Sequence, residues 1–301
     1  MSTITAVATD RAVGRRQARV RRERAALHPG AAATIAAASA VGLLAAWVLG
    51  MALVGTSLTE RSAQARLYAT FRAQLAAETA PLGGPIAVGA PVAMLDSAAL
   101  HLHHVVVVEG TAASQLASGP GHRPDSPLPG QAGWSVVYGR SLTFGAPFRS
   151  IATVPAGSTL TVTTGQGVFD YRVVGVRRGG IDSGTFAPST ARLTLVTSGE
   201  SVANPAHAVY VDAVLAHGSP QPAPAGRPTT VAAADVAMRG DSTQLTPLVF
   251  WLEALVGVAF ASVWAARRWG RWQTWVVSAP LAVAALWGAT GSMLRLLPNL
   301  I

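Results

Sequence analysis

The sequence predicts a mainly β domain of roughly 150 to 190 residues held at a membrane by three transmembrane α-helices. Three observations predict it. Three apolar stretches are long enough to cross a bilayer, short β-type segments fill the interval between the first and second, and the Arg clusters sit only at the flanks of the apolar stretches. Half of the 301 residues are hydrophobic and only 12% are charged. A soluble surface carries about twice that charge, so much of the apolar content belongs in lipid.

The first stretch, Gly30 to Gly55, reads GAAATIAAASAVGLLAAWVLGMALVG and holds no charge. About 20 such residues cover the hydrocarbon core. A cleaved leader has an apolar core of only about 7 to 15 residues, so 30–55 reads as a retained anchor despite the small-residue run Ala63, Gln64, Ala65. The second and third spans are 247–265 and 275–297, joined by the basic loop 266–274, ARRWGRWQT. Trp251, Trp264, Trp269, Trp272 and Trp275 lie near the ends of these spans, as interfacial anchors do. Glu253 lies within the second span, where an intramembrane carboxylate reads either as a functional group or as one hydrated or hydrogen-bonded near the outer surface.

All 23 basic residues are Arg, and their distribution sets the topology. The tail 1–29 carries a net +5 from Arg11, Arg15, Arg16, Arg19, Arg21, Arg22 and Arg24 against Asp10 and Glu23. Arg267, Arg268 and Arg271 add +3 in the loop between the last two spans. Residues 56 to 246 hold 12 Arg and 11 acidic residues. That region is nearly neutral, which argues against a nucleic-acid face. Basic clusters stay cytoplasmic, so the N-terminus is expected inside and the β-rich domain outside.

Ser57, Leu58, Thr59 and Glu60 have capping-box spacing, and Leu67, Phe71 and Leu75 recur at helical intervals. A juxtamembrane amphipathic helix is therefore expected within 56–85, ended by Pro81, Gly83, Gly84 and Pro85. Strand patterns follow over 86–216: Val105 to Val108, Trp134 to Val137, Thr159 to Thr164, Val168 to Val176, ARLTLVT and AVYVDAVL. Gly165, Gln166 and Gly167 form a hairpin turn, and the spacing of the strands predicts a sandwich or barrel. Residues 217–246, rich in Pro and Ala, read as a linker.

The run VVVVEGTAASQLASGPGHRPDSPLPGQAGWSVVYGRSLTFGAPFRSI, followed by VTTGQGVFDYRVVGV and ARLTLVTS, resembles the sortases of Gram-positive bacteria, and among them the actinobacterial class E type. GPGH, LPGQ and FGAPF carry the resemblance, which extends from Gly89 to Leu215. It implies a sortase-like eight-stranded β-barrel tethered to the membrane. Sortases are cysteine transpeptidases acting on the C-terminal sorting signal of a surface protein. The resemblance further implies a triad of His, Cys and Arg, and the matching positions here are read as Tyr138, Ser198 and Ala208. The chain has no cysteine at all. A serine hydroxyl needs an adjacent base where a thiolate does not, and Ser198 inherits none.

His122, Tyr138, Arg140, Thr197 and Ser198 are the candidate groove-lining residues. His101 and His103 alternate onto one strand face beside His104, but two imidazoles do not close a metal site, so no metal and no cofactor is expected. The function expected is a binding or scaffold protein at the cell envelope, inactive as a sortase. Its partners would be the lipid bilayer and a cell-surface protein, sorting-signal peptide or envelope complex. The alternative is a serine-dependent transpeptidase or hydrolase using Ser198.

Overall fold

A computed structural model describes residues 29–178, 189–199, 208–230, 232–236 and 239–301. Residues 1–28 of the cytoplasmic tail expected over 1–29, the loop 200–207 with His207, and residues 179–188 lie outside the described residues. The chain divides into two compact units, Met1–Leu49 and Gly50–Ile301. In the first, helix α1 (Pro29–Gly50) is apolar on every face and leaves Val41, Leu43, Leu44 and Leu49 exposed. Water would not tolerate that surface; lipid would.

The second unit begins with a π-helical turn, Met51–Gly55, and helix α2, Thr56–Ala76. The expected capping box is not formed. The residue before α2, Gly55, is itself helical, so no free N–H groups await a cap at Ser57. Instead the hydroxyls of Thr56, Ser57 and Thr59 donate to carbonyls one turn back, those of Ala52, Leu53 and Gly55. Helix α2 also stops earlier than Pro81, with Glu78 in the left-handed region at φ 55°. Its apolar stripe does pack on the barrel: Phe71 is fully buried against Val106 and Ala80, with Leu67, Tyr68 and Leu75 around it. Gln64 adds a polar clamp, accepting from Val106 N–H (2.8 Å) and donating to Val106 O (3.0 Å) and Ser118 O (2.8 Å).

Eight strands close into a barrel: β1 (Pro91–Ser97), β2 (Leu102–Glu109), β3 (Gly121–His122), β4 (Gly133–Tyr138), β5 (Thr159–Thr164), β6 (Gly167–Arg178), β7 (Ala191–Ser198) and β8 (Ala208–Leu215). A short helical turn, α3 (Ala113–Leu116), lies between β2 and β3. Their order round the barrel is β1-β2-β3-β4-β7-β8-β6-β5. The β2–β3 and β4–β7 pairs are parallel and the rest antiparallel. β1 and β3 were not among the strand patterns read from the sequence. The expected hairpin forms, with Thr164 opposite Gly167 and Gly167 at φ 134°.

Alternation decides which side chains fill the barrel. Along β6, Phe169, Tyr171 and Val173 point in while Val168, Asp170 and Arg172 are exposed. They meet Leu160 and Val162 of β5, Leu193 and Leu195 of β7 and Val211 of β8 in one core. Tyr171 is wholly buried, and its hydroxyl oxygen accepts from Gly130 N–H at 2.6 Å, which keeps a phenol inside without an orphaned polar group.

The segment after β8 lies against the barrel. Gln221 exchanges backbone hydrogen bonds with Ala132 and Gly130. Arg227 reaches Glu109 at 2.7 Å, and Asp235 accepts from Thr111 N–H at 2.5 Å. Helices α4 (Leu245–Arg268) and α5 (Arg271–Leu296) then form a hairpin. The break between them is shorter than the loop expected from sequence, because one residue, Gly270 at φ 101°, reverses the chain. Gly288 of α5 lies against the Trp251 ring of α4, where any Cβ would collide. Small residues at such contacts let apolar helices approach. Among the described residues, three helical stretches, Val41–Ala76, Ser242–Arg268 and Trp272–Leu296, are long and apolar enough to cross a membrane.

Candidate groove and its polar network

The outer face of β4, β7 and β8 forms the candidate site. Period-two alternation sends Leu193 and Leu195 into the core and Thr194, Val196 and Ser198 to this outer face, which is itself buried. Parallel pairing sets Tyr138 beside Val196, and antiparallel pairing sets Ser198 opposite Ala208. In the middle, Tyr138, Val136, Val196 and Tyr210 make an apolar floor together with Leu116 and Leu300. Burial raises the Tyr138 pKa, against the opposing pull of Arg123.

At one end of the face stands a buried charge cluster. Asp212 accepts from Arg192 (2.7 Å), from Thr194 (2.7 Å) and from Arg177. Trp134 donates to Thr194 at 2.7 Å and stacks on Arg192. Burial pushes the Asp212 pKa up, but the hydrogen bonds from Arg177, Thr194 and Arg192 outweigh it and hold the carboxyl below its usual range.

At the other end is Ser198, 3% exposed. Its hydroxyl lies 2.5 Å from the Ser141 hydroxyl, and among the described residues no imidazole or carboxylate hydrogen-bonds it. Thr197 donates to Gly139 O at 2.8 Å, fixing the β4 exit over the end of β7. Gly139 itself admits no side chain, because a Cβ would strike the Phe148 ring. The next residue, Arg140, is fully buried. Its guanidinium donates to Thr143 Oγ1 (3.1 Å), Ile301 O (3.1 Å) and Ala113 O (3.2 Å), and lies 4.6 Å from the centre of the Phe144 ring. Its Nε has no partner. Burial, then the positive charge of Arg295, lowers its pKa to about 9.

Of the residues singled out in the sequence, Tyr138, Arg140, Ser198 and Ala208 gather at this face, while Thr197 alternates to the opposite side of β7. His122 does not join them. It is fully buried in a separate network, Nδ1 3.0 Å from Glu109, Nε2 2.9 Å from Pro127 O and 3.1 Å from Ser126 Oγ. Ser126 donates its own proton to Arg123 O at 2.8 Å. This Ser–His–Glu series therefore fastens the GPGH loop, and Arg227 seals it from outside. His104 sits 3.0 Å from Asp96 on the opposite side of the sheet order. Sequence reasoning missed Ser141, Thr143, Asp212, Asn299 and Leu300. Only Asp212 gave a signal, as a carboxylate in an otherwise apolar strand.

A family model describing the sortase domain matches residues 98–216. Among solved structures, a sortase D5 transpeptidase of Clostridium perfringens is similar at 19% identity, covering 52% of this chain and 99% of that one, with a TM-score of 0.44. Sortase E of Streptomyces avermitilis is 28% identical over 48% of this chain and 97% of its own, TM-score 0.38. Sortase A of Corynebacterium diphtheriae is 18% identical, 52% and 86% covered, TM-score 0.40. The comparison with curated proteins returns no match.

Proposed function

Because residues 98–216 make this chain a member of the sortase family, we propose that it is a membrane-anchored sortase-like protein without transpeptidase chemistry, acting as a binding or scaffold component at a Gram-positive cell envelope. One observation carries the reading: the only hydrogen-bond partner of the Ser198 hydroxyl among the described residues is a second hydroxyl, that of Ser141. Neither can take the other's proton near neutrality. The histidine's position is read as Tyr138, a phenol that burial keeps protonated near neutrality, and Arg140 stands two residues beyond it. A guanidinium whose pKa lies at about 9 is still protonated at pH 7 and cannot serve as a base. Ala208 offers no cation to an oxyanion.

The test is incubation of the full chain with sorting-signal peptides, read by intact mass and product analysis. The expected result is binding without cleavage and no acyl adduct on Ser198. An adduct there, or transpeptidation, would establish the serine-dependent alternative instead.

The proposal includes a topology: N-terminal tail and the 266–274 loop cytoplasmic, barrel outside, on the charge distribution and the positive-inside rule. Reporter fusions after Ser219 and after Arg271 are expected to report opposite sides of the membrane. The same side for both would end this topology.

A further inference from the structure

The groove already holds a peptide, and the peptide belongs to the chain. Beyond helix α5, Leu297 is extended (φ −63°, ψ 153°), because the residue before a proline avoids the helical region. Pro298 thus turns the chain out of the helix and back onto the barrel. Asn299, fully buried, donates its side-chain amide to Thr111 O (2.8 Å) and Val236 O (3.1 Å), and its backbone N–H to Arg239 O (2.9 Å). Leu300, fully buried, enters the floor of Leu116, Val136, Tyr138, Val196 and Tyr210. Its carbonyl accepts from Ser141 N–H (3.1 Å) and Ser141 Oγ (3.3 Å). The next backbone oxygen, Ile301 O, accepts from Arg140 (3.1 Å) and Thr143 (2.5 Å).

This is how peptide ligands are held: backbone carbonyls captured by fixed donors, and one apolar side chain in a fitted pocket. The partners are about 160 residues away in sequence, so local chain geometry does not impose the contact. The site also explains Arg140. A buried cation is costly unless acceptors meet it, and two of its three acceptors, Ile301 O directly and Thr143 Oγ1 through their shared bond, belong to this contact.

We propose that Arg140, Ser141, Thr143 and the Tyr138–Val196–Tyr210 floor form a binding site for an extended peptide bearing a branched apolar side chain, and that Leu297–Ile301 is its resident ligand, covering the groove beside Ser198. The proposal rests on reading this face as the barrel's groove. Helix α5 leads straight into the ligand, so the groove opens only when this segment withdraws. Any outside peptide then competes with a tethered one, and the effective concentration of the tethered one is high.

The absence of cysteine supplies the test. In the full chain, solubilised in detergent, Thr143→Cys places a single thiol under Ile301. Its labelling rate with N-ethylmaleimide is compared in that parent and with Leu300→Asp or Asn299→Ala added. Far-UV dichroism first establishes that each barrel is folded. Labelling is expected to rise at least about tenfold with Leu300→Asp, since losing the buried leucine favours local opening by more than that factor. A smaller rise in a folded chain overturns the proposal. Should Leu300→Asp fail to fold, the Asn299→Ala chain decides, with a rise of about threefold as its threshold. The readout is indifferent to envelope ligands and to cleavage. Failure here leaves the silent-barrel reading standing, while peptide turnover at Ser198 would sink that reading without touching this one.

Discussion

Asp212→Ala is expected to lower the unfolding free energy by about 3–5 kcal/mol, because removing the acid breaks a buried, hydrogen-bonded ion pair. Arg192 is 3% exposed and its bond to Asp212 is 2.7 Å. The same carboxylate also receives Arg177 and Thr194 and so ties β6, β7 and β8 together. Its folded pKa is lowered. The stabilisation is therefore complete above the unfolded value of about 3.9 and is lost as pH falls through the folded one. Guanidinium titrations of the full chain at pH 7, 4 and 3 check both parts. At pH 7 the variant should lose the full amount, and the gap to the parent should narrow by pH 3. A loss below about 1 kcal/mol at pH 7 would show that the cluster is decorative.

Phe71→Ala is expected to cost a similar amount, about 3–5 kcal/mol, through lost transfer energy and the cavity left between α2 and β2. Phe71 has no exposed surface and sits with Val106 and Ala80. The two sites are independent, so the double variant should be additive within about 0.5 kcal/mol. Phe71→Leu should be much milder. Limited proteolysis reads the local consequence: cleavage between Ala77 and Ala90 should accelerate in Phe71→Ala before the barrel itself unfolds. Unchanged cleavage would mean that Gln64 alone holds the helix in place.

Much of this architecture was legible because lipid and β-sheet leave strong periodic marks. The spans needed only length and charge, and six strands showed alternation or an apolar run. β1 did not, because α2 covers its outer face and leaves PVAMLDS buried on both sides. β3 is two residues long, too short for any period. The capping motif at Ser57 misled because helix start signals presume a free N-terminus, and here the helical backbone arrives from upstream. At the groove, the sequence could name residues on β4, β7 and β8, since they share one strand pattern each. It could not show that Leu300 lies on Tyr138, because only the closed fold brings residues so distant in sequence into contact.

Closure of the barrel has one more consequence. Every strand of the ring has a neighbour on each side, and only the seam at β3, two residues long, leaves parts of β2 and β4 without a strand partner, so little unpaired edge is offered for a partner to lengthen. Recognition by strand addition reads mainly backbone and tolerates many sequences. Here that route is narrow, and the same closure guards the barrel against self-templated stacking with other copies. On the binding role proposed above, what remains is capture by discrete donors and a fitted pocket, which would choose a partner for the shape of its side chain and the placing of two backbone oxygens rather than for a general willingness to be extended.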